Sequence, residues 1–448
     1  MVALSAAHKI SRVAVIGGGP TGLAAARALR DQGAFSKITV FERNAEVGGT
    51  WLFSPQANPS LDIPSVNALD IEPPGIYYPP KKASMYANLR TNLPHAVMCF
   101  RDLPFEPGTP MFPTHEQVLK YLKSVADSCQ LQPMIRLNTS VLDAEFLDSE
   151  SVWRLSLVEV GKEGRKYTEE YDAVVVASGH YTVPHIPAID GIVHASKKLR
   201  IMHSRDYRYP DAYRDQNLVV IGGGPSARDI VRETSSYAKR IYHSMRTEDG
   251  ALLSAQGSSL PNVQSTTVLT RFNEDGSIEC QNGTILKDVD TIIFATGFLY
   301  SFPFLRFEKD LIVDGQNVQN LYKYLFYIKN PTLAFVGLPI RTVPLPFAQS
   351  QSMVIARCWS GHATIPSREA MFEEEGARRL SNDRSNIILG ADKEFALVDR
   401  MNAWAEGWPL DKDLAGWQST DIVTGRLPEW WKSMRKAAPQ LRLEQLGH

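Results

Sequence analysis

Cysteine is scarce. The 448 residues hold four, Cys99, Cys129, Cys280 and Cys358, with no C-x-x-C spacing. They are scattered, so neither a disulfide framework nor a zinc site is indicated, and a flavin-dependent disulfide reductase, which needs a redox cysteine pair, is excluded. Long apolar runs are missing too: nothing approaches the roughly 18 residues of a helical membrane span. Neither sign of charge is in excess. Lys and Arg number 48 against 49 Asp and Glu, a formal net charge of -1, which offers no basic face to a nucleic acid or an anionic membrane. The opening stretch MVALSAAHKISR is too short and too interrupted by charge for a secretory signal, so a cytoplasmic protein with reduced thiols is expected. There are no low-complexity tracts.

What is present is an ordinary globular composition, 44% hydrophobic and 22% charged, enough to build a packed core. At about 150 residues per domain the length predicts two or three domains. One internal repeat stands out. Val13 to Leu29 reads VAVIGGGPTGLAAARAL, and Leu218 to Ile230 reads LVVIGGGPSARDI. Each is an apolar strand, a glycine turn and the start of a helix.

In the first copy, Gly17 permits the tight turn, Gly19 lets backbone approach a pyrophosphate, and Gly22 lets the helix pack on its strand. The helix N-terminus offers free N–H groups and partial positive charge to a phosphate. A second strand, KITVFER, follows, and Glu42 stands where an acid binds ribose hydroxyls. The second copy has Gly222, Gly224 and Ala227 in the three positions. Its second strand, KRIYHSMR, supplies Ser244 and Arg246 and no acid. An acid would repel a 2′-phosphate, whereas a guanidinium pairs with it bidentately. The first site is therefore expected to take FAD or NAD, and the second NADPH.

Two more apolar strands end on small-residue turns, at Ser178-Gly179 and at Thr296-Gly297. They read as the junctions where the chain leaves one nucleotide unit and returns to it. The fold expected is α/β, with two Rossmann-like dinucleotide-binding domains, the NADPH domain inserted into the FAD domain. The divisions are 1–180 for the first part of the FAD domain, 181–297 for the insert, and 298–448 for the remainder with C-terminal helices. Asp62 to Pro80 is proline-rich and without periodicity, a loop of the kind that covers a site. The tryptophans of WAEGWPLDKDLAGWQ and EWWKSMRK are expected to pack rather than react.

The motifs GGGPTG, FERNAEVGGTW, LRTNLPHAVMCF, FPTHEQVLKYL, ASGHYTVPHIP, HSRDYR, GGGPSARDI, FATGF, LAFVGL and ARCWSG occur in that order between residues 17 and 361. Together they resemble a flavin-containing monooxygenase, closest to the short soluble fungal type. The resemblance implies FAD and NADPH as cofactors and molecular oxygen as co-substrate. It implies a C4a-hydroperoxyflavin that oxygenates a soft nitrogen or sulfur of a small molecule, an amine or a thioether. The cofactor supplies the oxidant, so no catalytic triad is required. Asn92 matches the family's active-site asparagine. FAD contacts are expected from Gly17, Gly18, Gly19, Pro20, Thr21, Gly22, Glu42, Arg43, Gly49, Thr50, Trp51, Asn92 and Gln351. NADPH contacts are expected from Gly222, Gly224, Ser226, Ser244 and Arg246.

The family's identifying pattern, F-x-G-x-x-x-H-x-x-x-(F/Y), is only half kept. His203 and Tyr207 are present, but Lys197 and Leu199 replace Phe and Gly. A Baeyer–Villiger-type monooxygenase would carry Trp in place of Tyr207. That class and an NADPH oxidase or reductase flavoprotein are the alternatives, and a non-catalytic coenzyme sensor is a third. A homo-oligomer is left open.

Overall fold

The computed structural model describes residues 9–59, 61–68, 82–161, 164–246, 260–306, 308–376 and 384–446. The first apolar run forms the strand Arg12–Ile16 inside a seven-stranded sheet. The strand order across it is 321–322, 326–327, 333–335, 173–176, 12–16, 37–41 and 135–136. Five neighbours run parallel, and a short antiparallel hairpin closes one edge. Side chains alternate across a strand, so both faces must be covered. Val13 and Val15 enter a core shared with helices Pro20–Gln32 and Pro344–Trp359. Ala14 and Ile16 enter another, shared with Trp153, Leu155 and Leu157 of an antiparallel three-stranded sheet.

The second glycine turn repeats this plan. Strand Asn217–Ile221 is central in a wholly parallel sheet with order 263–266, 240–244, 217–221, 291–294 and 200–203. Leu218 and Val220 pack with helix Pro225–Ser235. Val219 and Ile221 pack against a second small antiparallel sheet. The chain enters this unit along Val183–Pro184 and leaves along Phe298–Leu299, and those two segments pair antiparallel. Two dinucleotide-binding units, the second inserted in the first, are thus the architecture, as expected from the repeat.

Of the proline-rich stretch Asp62 to Pro80, residues 69–80 lie outside the described residues; Ser65 bridges to Ile186 at the linker. The C-terminal tryptophans pack: Trp404 donates from Nε1 to Thr364 O at 2.9 Å and Trp431 to Val97 O at 3.1 Å. The last helix, Glu429–Leu446, also reaches the inserted unit. Arg442 Nη2 lies 3.0 and 3.1 Å from the two carboxylate oxygens of Asp229, which also accepts Tyr86 OH at 2.6 Å. Among the described residues, no helix is long and apolar enough to cross a membrane. Nor does any group of three or more His, Cys, Asp or Glu there suit a metal ion.

Candidate functional site

The first turn is a cradle that side chains cannot enter. Gly17 has φ +112°, and a Cβ there would stand 2.4 Å from Ala177 O. A Cβ on Gly22 would stand 1.8 Å from Gly17 O. Helix Pro20–Gln32 begins with Gly19 as N-cap, with no side chain capping it and no acid in its first turn. Its leading N–H groups are left for an anion. Beneath it, Glu42 is buried and engaged through both oxygens: Oε2 accepts Gly18 N–H at 2.7 Å, and Oε1 accepts the backbone and side-chain N–H of Asn44 at 2.8 and 2.7 Å. The segment Gly48–Trp51 docks on the turn through Gly48 N–H to Gly18 O at 3.1 Å. There Gly49 approaches so closely that a Cβ would stand 2.9 Å from Gly19 Cα.

Over this cradle opens a cavity of about 760 Å³. It brings together Gly17, Gly19, Pro20, Thr21, Glu42, Arg43, Gly49, Thr50, Trp51 and Asn92. Asn92 is exposed there, and among the described residues its amide has no hydrogen-bond partner. Gly18 and Gly22 stand behind the lining, in the turn's own packing. These features fit a flavin dinucleotide: an uncapped helix start for the diphosphate, an acid for the ribose, and room beyond. Gln351 is a correction. It is fully buried outside the cavity, and its Oε1 accepts Gly337 N–H at 2.8 Å. It braces a lining residue instead of lining the site.

Sequence reasoning singled out no role for several lining residues. Ser178 to Val183, Gly337 and Pro339 to Thr342 contribute a large part of the wall. Their signal was present in the small-residue turns, but only the parallel pairing of Leu333–Phe335 with Ala173–Val176 brings them together. His180, in this wall, lies against Tyr181 and Tyr300 with the rings tilted, centroids 4.3 and 5.1 Å away. Burial, aided by the Arg384 cation, pushes its imidazole down to about 4, so it stands neutral at physiological pH.

The second turn mirrors the first. Gly222 has φ +135°, and a Cβ there would stand 2.5 Å from Ala295 O. Its N–H donates to Ser244 O at 2.9 Å, as Gly17 N–H donates to Phe41 O at 2.8 Å. Helix Pro225–Ser235 again starts on a glycine, Gly224, with no side-chain cap and no first-turn acid. Gly224 and Ser226 are exposed at its mouth, and Arg246 is exposed just past the strand. Ser244 is a correction: it is the counterpart of Phe41, fully buried, and its Oγ donates to Thr267 O at 2.9 Å. Glu42's counterpart is Met245, also buried. His243 Nε2 lies 2.8 Å from Gly222 O, a bond that needs the proton on Nε2. None of these residues lines the large cavity.

The retained half of the identifying pattern packs within the inserted unit. His203 is fully buried, its Nδ1 accepting Arg205 N–H at 3.1 Å, while Tyr207 OH donates to Glu233 Oε2 at 2.8 Å. Neither lines the cavity.

A family model described as flavin-binding monooxygenase-like matches residues 79–262 and 260–399. A second, an NAD(P)-binding Rossmann-like domain, matches residues 15–67. The flavin-containing monooxygenase FMO GS-OX-like 4 of Arabidopsis thaliana is 38% identical over 374 residues, 81% of this chain and 79% of that one. Among solved structures, the S-allyl-L-cysteine S-oxygenase of Allium sativum superposes with a TM-score of 0.79 at 30% identity, covering 97% of this chain and 93% of that one. Tmm from Pelagibacter superposes at 0.73 and 20% identity over 97% and 92%, a likeness of fold. The likeness is thus of plant type, which replaces the fungal type expected from the sequence.

Proposed function

Because the chain belongs to the flavin-binding monooxygenase-like family, with FAD and NADPH as its cofactors, we propose that it is an NADPH- and oxygen-dependent oxygenase of a soft heteroatom in a small molecule. One oxygen atom goes to the substrate and the other to water, with NADPH supplying the two electrons. Sulfur is favoured over nitrogen by the likeness, along nearly the whole chain, to a protein described as an S-oxygenase. We assign residues 1–180 and 298–448 to the FAD-binding domain and 181–297 to the NADPH-binding domain.

One observation carries the reading: the cradle of the first turn and the unpartnered amide of Asn92 open into the same cavity. Bound FAD supplies the redox chemistry there, and the protein's part is to bind, orient and shield. The uncapped start of helix Pro20–Gln32 receives the diphosphate. Glu42, fixed by Gly18 and Asn44, still has acceptor capacity for ribose hydroxyls. Asn92 can donate to a reacting oxygen without adding charge, and the walls exclude water that would divert the oxidant. At the second turn, Gly224, Ser226 and Arg246 face solvent, where a 2′-phosphate can reach the guanidinium.

The test is rapid mixing. The flavin-loaded protein is reduced with NADPH without oxygen, then mixed with oxygenated buffer while its absorbance is followed. A long-lived species distinct from reduced and oxidised flavin, decaying faster when a thioether is added, supports the oxygenase. Direct return to oxidised flavin with stoichiometric hydrogen peroxide would establish an NADPH oxidase instead. Consumption of a cyclic ketone in place of a thioether would establish a Baeyer–Villiger enzyme.

A further inference from the structure

Arg341 is held in an unusual way. It lines the large cavity, is exposed there, and has the left-handed backbone conformation, φ +60°. A non-glycine residue reaches that conformation only when its surroundings impose it, and such residues collect at functional sites. The imposing group is an ion pair behind the loop. Arg435, on the last helix, donates from Nη2 to Arg341 O at 3.0 Å. Its Nε lies 3.3 Å from Glu394 Oε2, while Glu394 Oε1 accepts Val343 N–H at 2.5 Å. Glu394 is fully buried. The backbone on both sides of Thr342 is thus clamped, and Arg341 is presented to the cavity. Among the described residues its guanidinium has no hydrogen bond or ion pair, unlike the clamping Arg435. A planar, permanently charged fork without a partner matches a carboxylate.

We infer that Arg341 is the anion-binding group of the substrate cavity and selects heteroatom substrates that carry a carboxylate, such as thioether acids. This rests on the oxygenase reading above. The phosphates of FAD and NADPH are the other anions that could reach a cation in this cavity, but an uncapped helix start already stands at each turn to receive a diphosphate.

The experiment uses the flavin-loaded full chain and two thioethers of matched length, 3-(methylthio)propanoate and 3-(methylthio)propan-1-ol. The main variant is Arg341→Asn, because Asn accepts the left-handed backbone; Arg341→Lys keeps the charge without the fork. In Arg341→Asn, kcat/KM for the acid is expected to fall roughly ten- to hundredfold, with the alcohol unchanged within about twofold, as for loss of one charge-assisted pair. Arg341→Lys is expected to fall between. The acid, and not the alcohol, is expected to raise the melting temperature of the wild type, and this rise is expected to vanish in Arg341→Asn. A variant that keeps the acid preference, or a wild type that has none, overturns the inference. Loss of bound flavin with equal decline on both thioethers would also overturn it, and would give the anion as the FAD diphosphate. An Arg341-dependent melting shift with neither thioether oxygenated would uphold the anion site and sink the oxygenase reading.

Discussion

Glu42 Oε2 accepts the N–H of Gly18 at 2.7 Å, so the acid at the end of the second strand fastens the turn that ends the first. The same carboxylate holds Asn44 through its other oxygen.

Glu42→Gln keeps the shape but leaves one acceptor oxygen for three donors, and its amide N–H groups would face N–H groups of the turn. Leaving a buried donor unsatisfied costs about 1–3 kcal/mol. The variant is expected to purify with less flavin per chain and to melt lower than wild type, as read from absorbance and thermal unfolding. Full flavin occupancy at wild-type affinity would show that Glu42 does not serve the site.

Gly22→Ala puts a methyl carbon 1.8 Å from Gly17 O, and backbone on both sides prevents relief. We expect a chain without flavin. The counterpart Ala227 is natively a buried alanine, so Ala227→Gly should keep its flavin and lose only on the order of 1 kcal/mol of helix stability. Flavin content of the two variants, measured side by side, decides.

Asn92→Ala removes an amide that bonds to nothing among the described residues. Stability and flavin content are expected to stay at wild-type levels, while product formed per NADPH drops and hydrogen peroxide rises in proportion. An unchanged product yield would remove Asn92 from the chemistry.

Arg246→Ala should lower kcat/KM for NADPH by roughly ten- to hundredfold, the worth of a charge-assisted contact, and leave NADH unaffected. Equal losses with both coenzymes would mean that Arg246 does not read the 2′-phosphate.

His203 predicts a pH dependence. Burial, reinforced by the Arg205 cation, pushes its imidazole from the usual 6.5 down to about 3. A depressed folded value means that the stabilisation is present above pH 6.5 and is lost as pH falls from there toward 3. His203→Asn preserves an acceptor for Arg205 N–H but cannot titrate. Its melting temperature is expected to decline less steeply than that of wild type across that window; parallel declines would place the acid sensitivity elsewhere.

Much of this protein is written locally. The two glycine turns are legible because their constraints act within about 30 residues: strand, positive-φ glycine, uncapped helix, second strand. Unbroken apolar runs such as Val13–Ile16 foretell sheets covered on both faces, and the repeat foretells two units. Local pattern also carried the position of Glu42, because the strand that precedes it has no freedom of register.

Tertiary structure decided the rest, because those contacts join segments far apart in the chain. Ser244 looked like a phosphate ligand, yet its place opposite Ile221 turns its hydroxyl inward to Thr267. Gln351 looked like a flavin contact, yet helix Pro344–Trp359 carries it behind Gly337. Nothing near Arg341 in sequence marks it, since the groups that clamp its loop, Glu394 and Arg435, lie some fifty and ninety residues further on. The sequence by itself determined that two dinucleotide turns exist and what conformations their glycines must adopt, because sterics act on neighbours. Which side chains face the cavity over the first turn was settled only by packing, because a side chain's direction depends on what its strand or helix is laid against.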